Sequence, residues 1–265
     1  LHTAYRRQRQ MCIRDRYMSE YYQYLKSDIY KLRHSWFLGV HLLFPVFGAV
    51  LMLFYSRLSS GSELNKLAAF AQIIAIAYPF VISVVCQIIA EQELQAGHSQ
   101  NILTLPSRNK AIFSKLTILL LAGLFSTALS AVLFGIPFSY MTGIKLPVRF
   151  FAAISIVLWG SNVMLYGLHL ILAFRFGRNL CLSIGVMGSL LSALLQTDLG
   201  TGLWYIIPYG LGVRFAESAL AYLFHLQPVG TFENQIGILF CTIVTFGTIV
   251  LTAFWFSRYS GTSSD

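Results

Sequence analysis

Charge is scarce in this chain, and acids are the scarcest: 10 Asp and Glu among 265 residues, with 11% of all residues charged against roughly 25% in soluble domains. Two stretches, Leu67 to Ala90 and Leu116 to Ile144, contain no Asp, Glu, Lys or Arg at all. A water-soluble fold cannot hide two such runs, so the shortage excludes the soluble class. Signatures of chemistry are missing as well. There is no GxxxxGK[ST] loop to cradle nucleotide phosphates, and no HExxH, GxSxG or supported carboxylate pair to run a hydrolysis. The cysteines, Cys12, Cys86, Cys181 and Cys241, lie far apart and form no CxxC or Cys/His cluster, which disfavours a disulfide framework or a zinc site. The net charge of +9 is spread along the margins of apolar runs rather than gathered in one patch, so nucleic acid is not an expected partner and no metal site is assigned.

What is abundant is apolar residue, 56% of the chain. A hydrocarbon core about 30 Å thick needs on the order of 20 apolar residues of helix to cross it, and in lipid the backbone must bond to itself, which makes such runs helices. The expected fold is therefore all-α, a polytopic membrane protein with six spans: Trp36 to Tyr55, Ala68 to Ala90, Leu116 to Tyr140, Phe151 to Phe174, Leu180 to Gln196 and Ile236 to Ser257. Six spans put both ends of the chain on one side. With the amino terminus inside, inner segments hold nine Lys and Arg (positions 26, 31, 33, 108, 110, 115, 175, 178 and 258) and outer loops five (57, 66, 145, 149 and 214), so basic residues assign both termini to the cytoplasm. No Asp or Glu falls inside any of the six spans, although carboxylates are the common relays of ion-driven carriers. A proton- or sodium-driven carrier is disfavoured, and the energy for any transport has to come from a partner.

Residues 18–258 read as one membrane domain, followed by a short polar tail over 259–265. Residues 1–17 differ from everything after them, with five Arg in the first sixteen positions and no signal-peptide core. RRQRQMCIRDR resembles a recurrent artefact at the ends of assembled genes, and the expectation is a non-native or disordered tail with the native start at Met18. From Ser19 to His34, apolar residues at Tyr22, Leu25, Ile29, Leu32 and Trp36 recur in steps of three and four, predicting an amphipathic helix in the cytoplasmic interface; a plain polar lead-in is the alternative. Between Asp198 and Gln235 the apolar pieces are short and broken by Gly and Pro, which suits re-entrant or interfacial segments. An additional span near Phe215 to Leu226 is the other reading, opposed by Arg214 and Glu217. Of the histidines, His41 and His169 fall inside spans, where an ionisable group marks function by default and a neutral ring bonded to a neighbouring helix is the ordinary alternative.

Between the two uncharged runs sits one polar island, Glu91 to Lys115, EQELQAGHSQNILTLPSRNKAIFSK. Glu91 to Gly97 can extend the second helix beyond the lipid and end it at Gly97; Asn101 to Leu105 offers apolar side chains; Pro106 turns the chain back. The pattern of Glu91, Glu93 and Gly97, then Asn101-Ile-Leu-Thr-Leu105, Pro106-Ser-Arg108 and Lys115 resembles the first cytoplasmic loop of ABC transporter permeases of the type-2 exporter class. The resemblance covers Met18 to about Arg258. The opening MSEYYQYLKSDIYKLRHSW and the segment QELQAGHSQNILTLPSRNKAIFSKL are similar to lantibiotic immunity permeases.

That resemblance implies a non-enzymatic subunit of the bacterial cytoplasmic membrane. It would bind no cofactor itself; ATP and magnesium would sit on a separate ABC ATPase. A second permease subunit, homologous or identical, would complete the pump, which would expel a cationic peptide from the surrounding lipid. Coupling would fall to Glu91, Glu93 and Gly97 at the helix end, to Ile102, Leu103 and Leu105 as apolar docking residues, and to Pro106 and Arg108. An ordinary solvated loop is the competing reading of the island. On the outer side the acids Glu63, Asp198, Glu217 and Glu233 could attract such a peptide and Trp204, Tyr205 and Tyr209 could hold its apolar face; surface solubility and interface anchoring account for the same residues. Two alternatives stay open: a membrane sensor or scaffold that binds peptide without moving it, and a permease for a drug or lipid.

Overall fold

The computed structural model describes residues 20–95, 103–105, 107–226 and 231–261. Every regular element among them is helical: α1 Glu20–Arg33, α2 Phe37–Leu58, α3 Glu63–Gln95, α4 Arg108–Thr142, α5 Val148–Gly160, α6 Val163–Gln196, α7 Pro208–Leu223 and α8 Thr231–Ser257, with 3-10 turns at Asp198–Gly200 and Trp204–Ile206. Five of the helical stretches are long and apolar enough to cross a membrane, Phe37–Leu58, Glu63–Gln95, Arg108–Thr142, Val148–Gln196 and Phe232–Ser257. Their outer faces are apolar too. On α2 alone Leu43, Val46, Phe47, Val50 and Phe54 stand exposed, a continuous surface that water does not tolerate and lipid does. The chain is an all-α, multi-pass membrane protein.

The stretch Val148–Gln196 is not one rod. A first break falls at Ser161 and Asn162, where Ser161 Oγ donates to the Val157 carbonyl at 2.7 Å and Asn162 Nδ2 to the Leu158 carbonyl at 2.8 Å. The Asn162 amide turns to the Trp159 carbonyl, so its side chain satisfies the Leu158 acceptor in its place, as lipid requires, while the Val157 carbonyl takes both the amide and the hydroxyl of Ser161. A second break is at Gly177, with φ 76° and ψ −166°, a region open essentially to glycine alone. There the chain doubles back. Cys181 Sγ lies 3.6 Å from the His169 carbonyl oxygen, whereas twelve residues of straight helix would separate them by about 18 Å. Gly177 thus divides α6 into two arms, in the gap between the fourth and fifth spans expected from sequence.

The largest interface in the fold is between α3 and α6. Close approach is secured by small residues, as in other lipid-embedded helix pairs: Gly185 on the second arm faces Ser83, and the Cys181 thiol donates to the Ser83 carbonyl at 3.6 Å. The first arm is held by Tyr166, whose hydroxyl lies 2.9 Å from that of Tyr78; Tyr78 in turn donates to the Gly123 carbonyl of α4 at 3.2 Å. A second apolar cluster, with Phe70 stacked on Phe134 at 4.0 Å between ring centres, binds α2, α3, α4, α5 and α7 in the other half of the molecule. At 16 residues α7 spans about 24 Å and is not among the five long apolar stretches.

Amphipathic α1 turns most of its apolar stripe away from the protein, the side that an interfacial helix gives to lipid. Of the five apolar positions that mark its stripe, Leu32 is buried and Leu25 half-buried, whereas Tyr22, Ile29 and Trp36 are exposed. The face turned to the protein carries Tyr21, Asp28 and Lys31 instead, and Tyr21 Oη sits 2.6 Å from Thr117 Oγ1 of α4. A helix lying on a bilayer can leave its apolar side to lipid and offer polar groups to its own protein, which periodicity alone does not distinguish.

Candidate functional site

The sequence-predicted island begins where α3 ends and finishes where α4 starts. Ser107 caps α4, its Oγ accepting from the Lys110 amide at 3.4 Å, the usual role of a serine at that position. Gly97, Ile102 and Pro106 lie outside the described residues, as does the tail over 1–17.

Below the island is a closed charge network. Lys115 Nζ is 2.7 Å from Asp28 Oδ1 and 2.6 Å from Glu93 Oε1. Glu93 Oε1 also accepts from Lys31 Nζ at 2.9 Å, and Ser114 Oγ donates to Asp28 Oδ2 at 2.7 Å. Asp28, Glu93 and Lys115 are each less than a tenth exposed; Lys31 reaches in from the rim. Two acids and two bases sum to zero, so the group can be buried without a net charge, and each ion has charge-assisted hydrogen bonds in place of water. Three elements meet there: α1 through Asp28 and Lys31, α3 through Glu93, and α4 through Ser114 and Lys115. A cavity of about 360 Å³ opens over the network, bordered by Thr104 and Leu105 of the island.

The remaining island residues are placed as follows. Glu91 pairs loosely with Arg178, 3.6 Å away just past the Gly177 reversal, so the end of α3 touches the α6 turn as well as α1 and α4. Leu103 is half-buried against the chain's own apolar core, near Gly261. Leu105 is half-buried and Thr104 exposed. Arg108 Nη1 donates to the Tyr259 carbonyl at 2.7 Å, fastening the segment after α8 to the start of α4. The island is thus attached to α1, α4, α6 and the end of α8 together.

Sequence reasoning did not pick out Asp28, Lys31, Ser114 or Lys115 as site residues. Asp28 had one available signal: it is the only acid between Glu20 and Glu63, set in a basic, aromatic helix where a carboxylate has no obvious business unless something pairs with it.

At the opposite end, Trp204, Glu217 and Glu233 border one cavity of about 260 Å³, with Arg214 beside them. Trp204 is buried, packs edge-on against Tyr205 and Phe215, and donates its indole N–H to Glu233 Oε2 at 2.7 Å. Arg214 donates to the carbonyls of Leu195 and Thr197 at 2.9 and 2.8 Å, closing the end of α6, and lies 3.5 Å from Glu217. Tyr205 and Tyr209 do not border that cavity; the Tyr209 ring lies against Gly188, where a Cβ would collide with it. Glu63 pairs with Lys66 at 3.1 Å, and Asp198 opens the first 3-10 turn.

Of the two histidines expected inside spans, His169 bonds to the neighbouring arm and His41 only to its own helix. His41 Nδ1 bonds to the Phe37 carbonyl of its own helix at 2.8 Å; His169 contacts Cys181 across the α6 reversal, its Nδ1 3.7 Å from the sulfur. Among the described residues no group of three or more His, Cys, Asp or Glu could hold a metal ion.

No curated protein and no solved structure matches the chain. A family match covers residues 24–194, from the middle of α1 through the second arm of α6, and its description is "ABC-2 family transporter protein". That region contains the charge network, the island and the α3–α6 interface, and it exceeds half of the chain: this protein belongs to the ABC-2 transporter family, as a membrane-embedded, non-catalytic permease component.

Proposed function

We propose that the chain is the permease subunit of an ATP-driven exporter and that the polar island is where an ATPase pushes on it. In this reading the island faces the cytoplasm, both ends of the chain lie there, and the arms on either side of Gly177 count as separate crossings, six in all. The observation that carries the reading is the charge network. A segment docked on another protein transmits force only if its ends are fixed, and Glu93 and Lys115 fix them to each other and to Asp28 of α1 at 2.6 and 2.7 Å. Displacing the island therefore moves α1, α3 and α4 together. A second permease chain would supply the other wall of the transport path.

Docking falls to Thr104, Leu105 and the outer part of the island rather than to Leu103, which has its own core to pack against. Apolar docking outweighs peripheral charge, since exposed ion pairs are worth at most about 1 kcal/mol each. Leu105→Asp is expected to abolish co-purification of the ATPase while the permease stays monodisperse, and Lys110→Ala to retain most of it. Equal effects of the two would count against the scheme. The neighbouring gene should encode a P-loop ATPase; a sensor or scaffold needs none.

For cargo we infer a cationic antimicrobial peptide of the lantibiotic type, on the resemblance of the segments opening at Met18 and Gln92 and on the acids of the opposite-end cavity. Glu217 is the cleaner probe because Glu233 also holds Trp204. Glu217→Gln should lower lantibiotic tolerance roughly 2- to 5-fold, the scale of one partly exposed charge, at unchanged membrane level. Unaltered tolerance would remove Glu217 from the peptide's path.

A further inference from the structure

A cavity of about 460 Å³ opens at the island end, between the α6 reversal and the end of α8. Its floor is aromatic: Phe174 and Trp255 both pack on Tyr259, Phe174 meeting it edge-on at 5.9 Å and Trp255 lying 5.1 Å from it. Two arginines form its walls, Arg175 from the first arm of α6 and Arg258 just beyond α8. Each guanidinium rests near a ring, Arg258 at 4.1 Å from the centre of Phe254 and Arg175 at 5.7 Å from that of Phe176. Among the described residues neither arginine pairs with a carboxylate, although Arg178 three positions along does. Two unneutralised guanidiniums facing one cavity repel each other and favour an anion between them, and their planar forks match phosphate oxygens.

The surroundings of the cavity narrow the source of that anion. From Phe254 an exposed apolar stripe runs along α8 through Val250, Phe246, Ile243 and Leu239, at steps of four, four, three and four residues, so it forms one continuous face. An anion held by Arg175 and Arg258 would sit at the end of that stripe, with room for hydrocarbon along it. Trp255 is placed as membrane-interface tryptophans are. We propose that this cavity binds the phosphodiester headgroup of an anionic phospholipid, clamped by Arg175 and Arg258, with an acyl chain lying along α8. The proposal does not depend on what the chain transports. Because Arg108 holds the Tyr259 carbonyl at 2.7 Å, one wall of the cavity is also fastened to the start of α4, and the bound lipid would brace the island.

The test is native mass spectrometry of the full chain released from micelles containing equal amounts of phosphatidylglycerol and phosphatidylcholine. Wild type should retain phosphatidylglycerol preferentially. Arg175→Gln and Arg258→Gln should each weaken that retention roughly 5-fold, and the double variant roughly 30-fold, at about 1 kcal/mol per interfacial arginine. Arg57→Gln, at the far end of α2, should leave it unchanged. If the double variant is not recovered monodisperse, the single variants and the charge-preserving Arg175→Lys/Arg258→Lys decide, the latter expected to keep preference for the anionic lipid. Equal retention of both lipids, or retention unaffected by the glutamine variants, would overturn the proposal. Displacement of phosphatidylglycerol by millimolar inorganic phosphate would assign the site to a soluble anion and overturn it too. Loss of a co-purified ATPase with lipid retention intact would give the arginines to protein docking instead.

Discussion

Lys115→Met should be the most damaging single substitution at the island end. The change leaves Asp28 and Glu93 buried with one base, Lys31, between them, and an uncompensated buried charge costs about 3–5 kcal/mol. Measured as reversible unfolding in mixed denaturing micelles, the variant should lose that much. The double variant Asp28→Asn/Lys115→Met should recover a large part of the loss, because it restores zero net charge and keeps the 2.9 Å pair of Lys31 with Glu93. Charge balance and hydrogen bonding are separated by that comparison: if the double variant is as unstable as the single, the lost ammonium hydrogen bonds rather than the unbalanced charge carry the effect, since Met keeps the volume of the lysine stem. The double variant also bears on function. On the proposed coupling role, with α1 no longer bonded to Lys115, it should fold yet respond poorly to the proposed ATPase partner, and on the proposed cargo this is read as reduced lantibiotic tolerance at normal membrane level.

That network was only half legible in the sequence, for a physical reason. Hydropathy reports where lipid must be, so the long apolar helices, the reversal between Phe174 and Leu180 and the island were all readable from composition. Hydropathy does not report which side of an interfacial helix meets protein. Tyr22, Ile29 and Trp36 gave α1 an apolar stripe, and the structure leaves all three exposed while burying Asp28 beside Leu32. Glu93 and Lys115 were visible as island charges, but the third element that neutralises them came from 65 residues upstream of Glu93, a long-range contact with no local signal. The break at Ser161 and Asn162 escaped for a different reason: the three residues Gly160-Ser161-Asn162 are too few to lower the hydropathy of a whole span, and the Asn162 side chain takes over the Leu158 carbonyl that its amide leaves. At the other end, Trp204, Glu217 and Glu233 were singled out as separate aromatic and acidic features. What the sequence did not contain is that they border one cavity and that Trp204 bonds Glu233 directly.

Gly185→Ala should be nearly as disruptive, although it adds a single methyl group. The second arm of α6 approaches α3 so closely there that a Cβ on residue 185 would overlap Ser83, both at its hydroxyl and at its Cβ, with the Phe80 Cα 3.4 Å behind. Ser83 cannot swing aside freely, because it is fully buried and its hydroxyl donates to the Phe80 carbonyl at 2.7 Å. Overpacking of this kind costs about 1–3 kcal/mol, here at the largest helix interface in the molecule. The complementary change identifies the cause. Ser83→Gly removes the colliding atoms and leaves only the ordinary contact with Phe80, so Gly185→Ala/Ser83→Gly should be more stable than Gly185→Ala alone, even though Ser83→Gly by itself loosens the helix. A double-mutant cycle on unfolding midpoints would measure the coupling. Independent, additive losses would mean that the second arm of α6 does not need this contact to stay packed on α3. Strong coupling would show that the second arm is seated on α3 through small residues, on the same helix that carries Glu93.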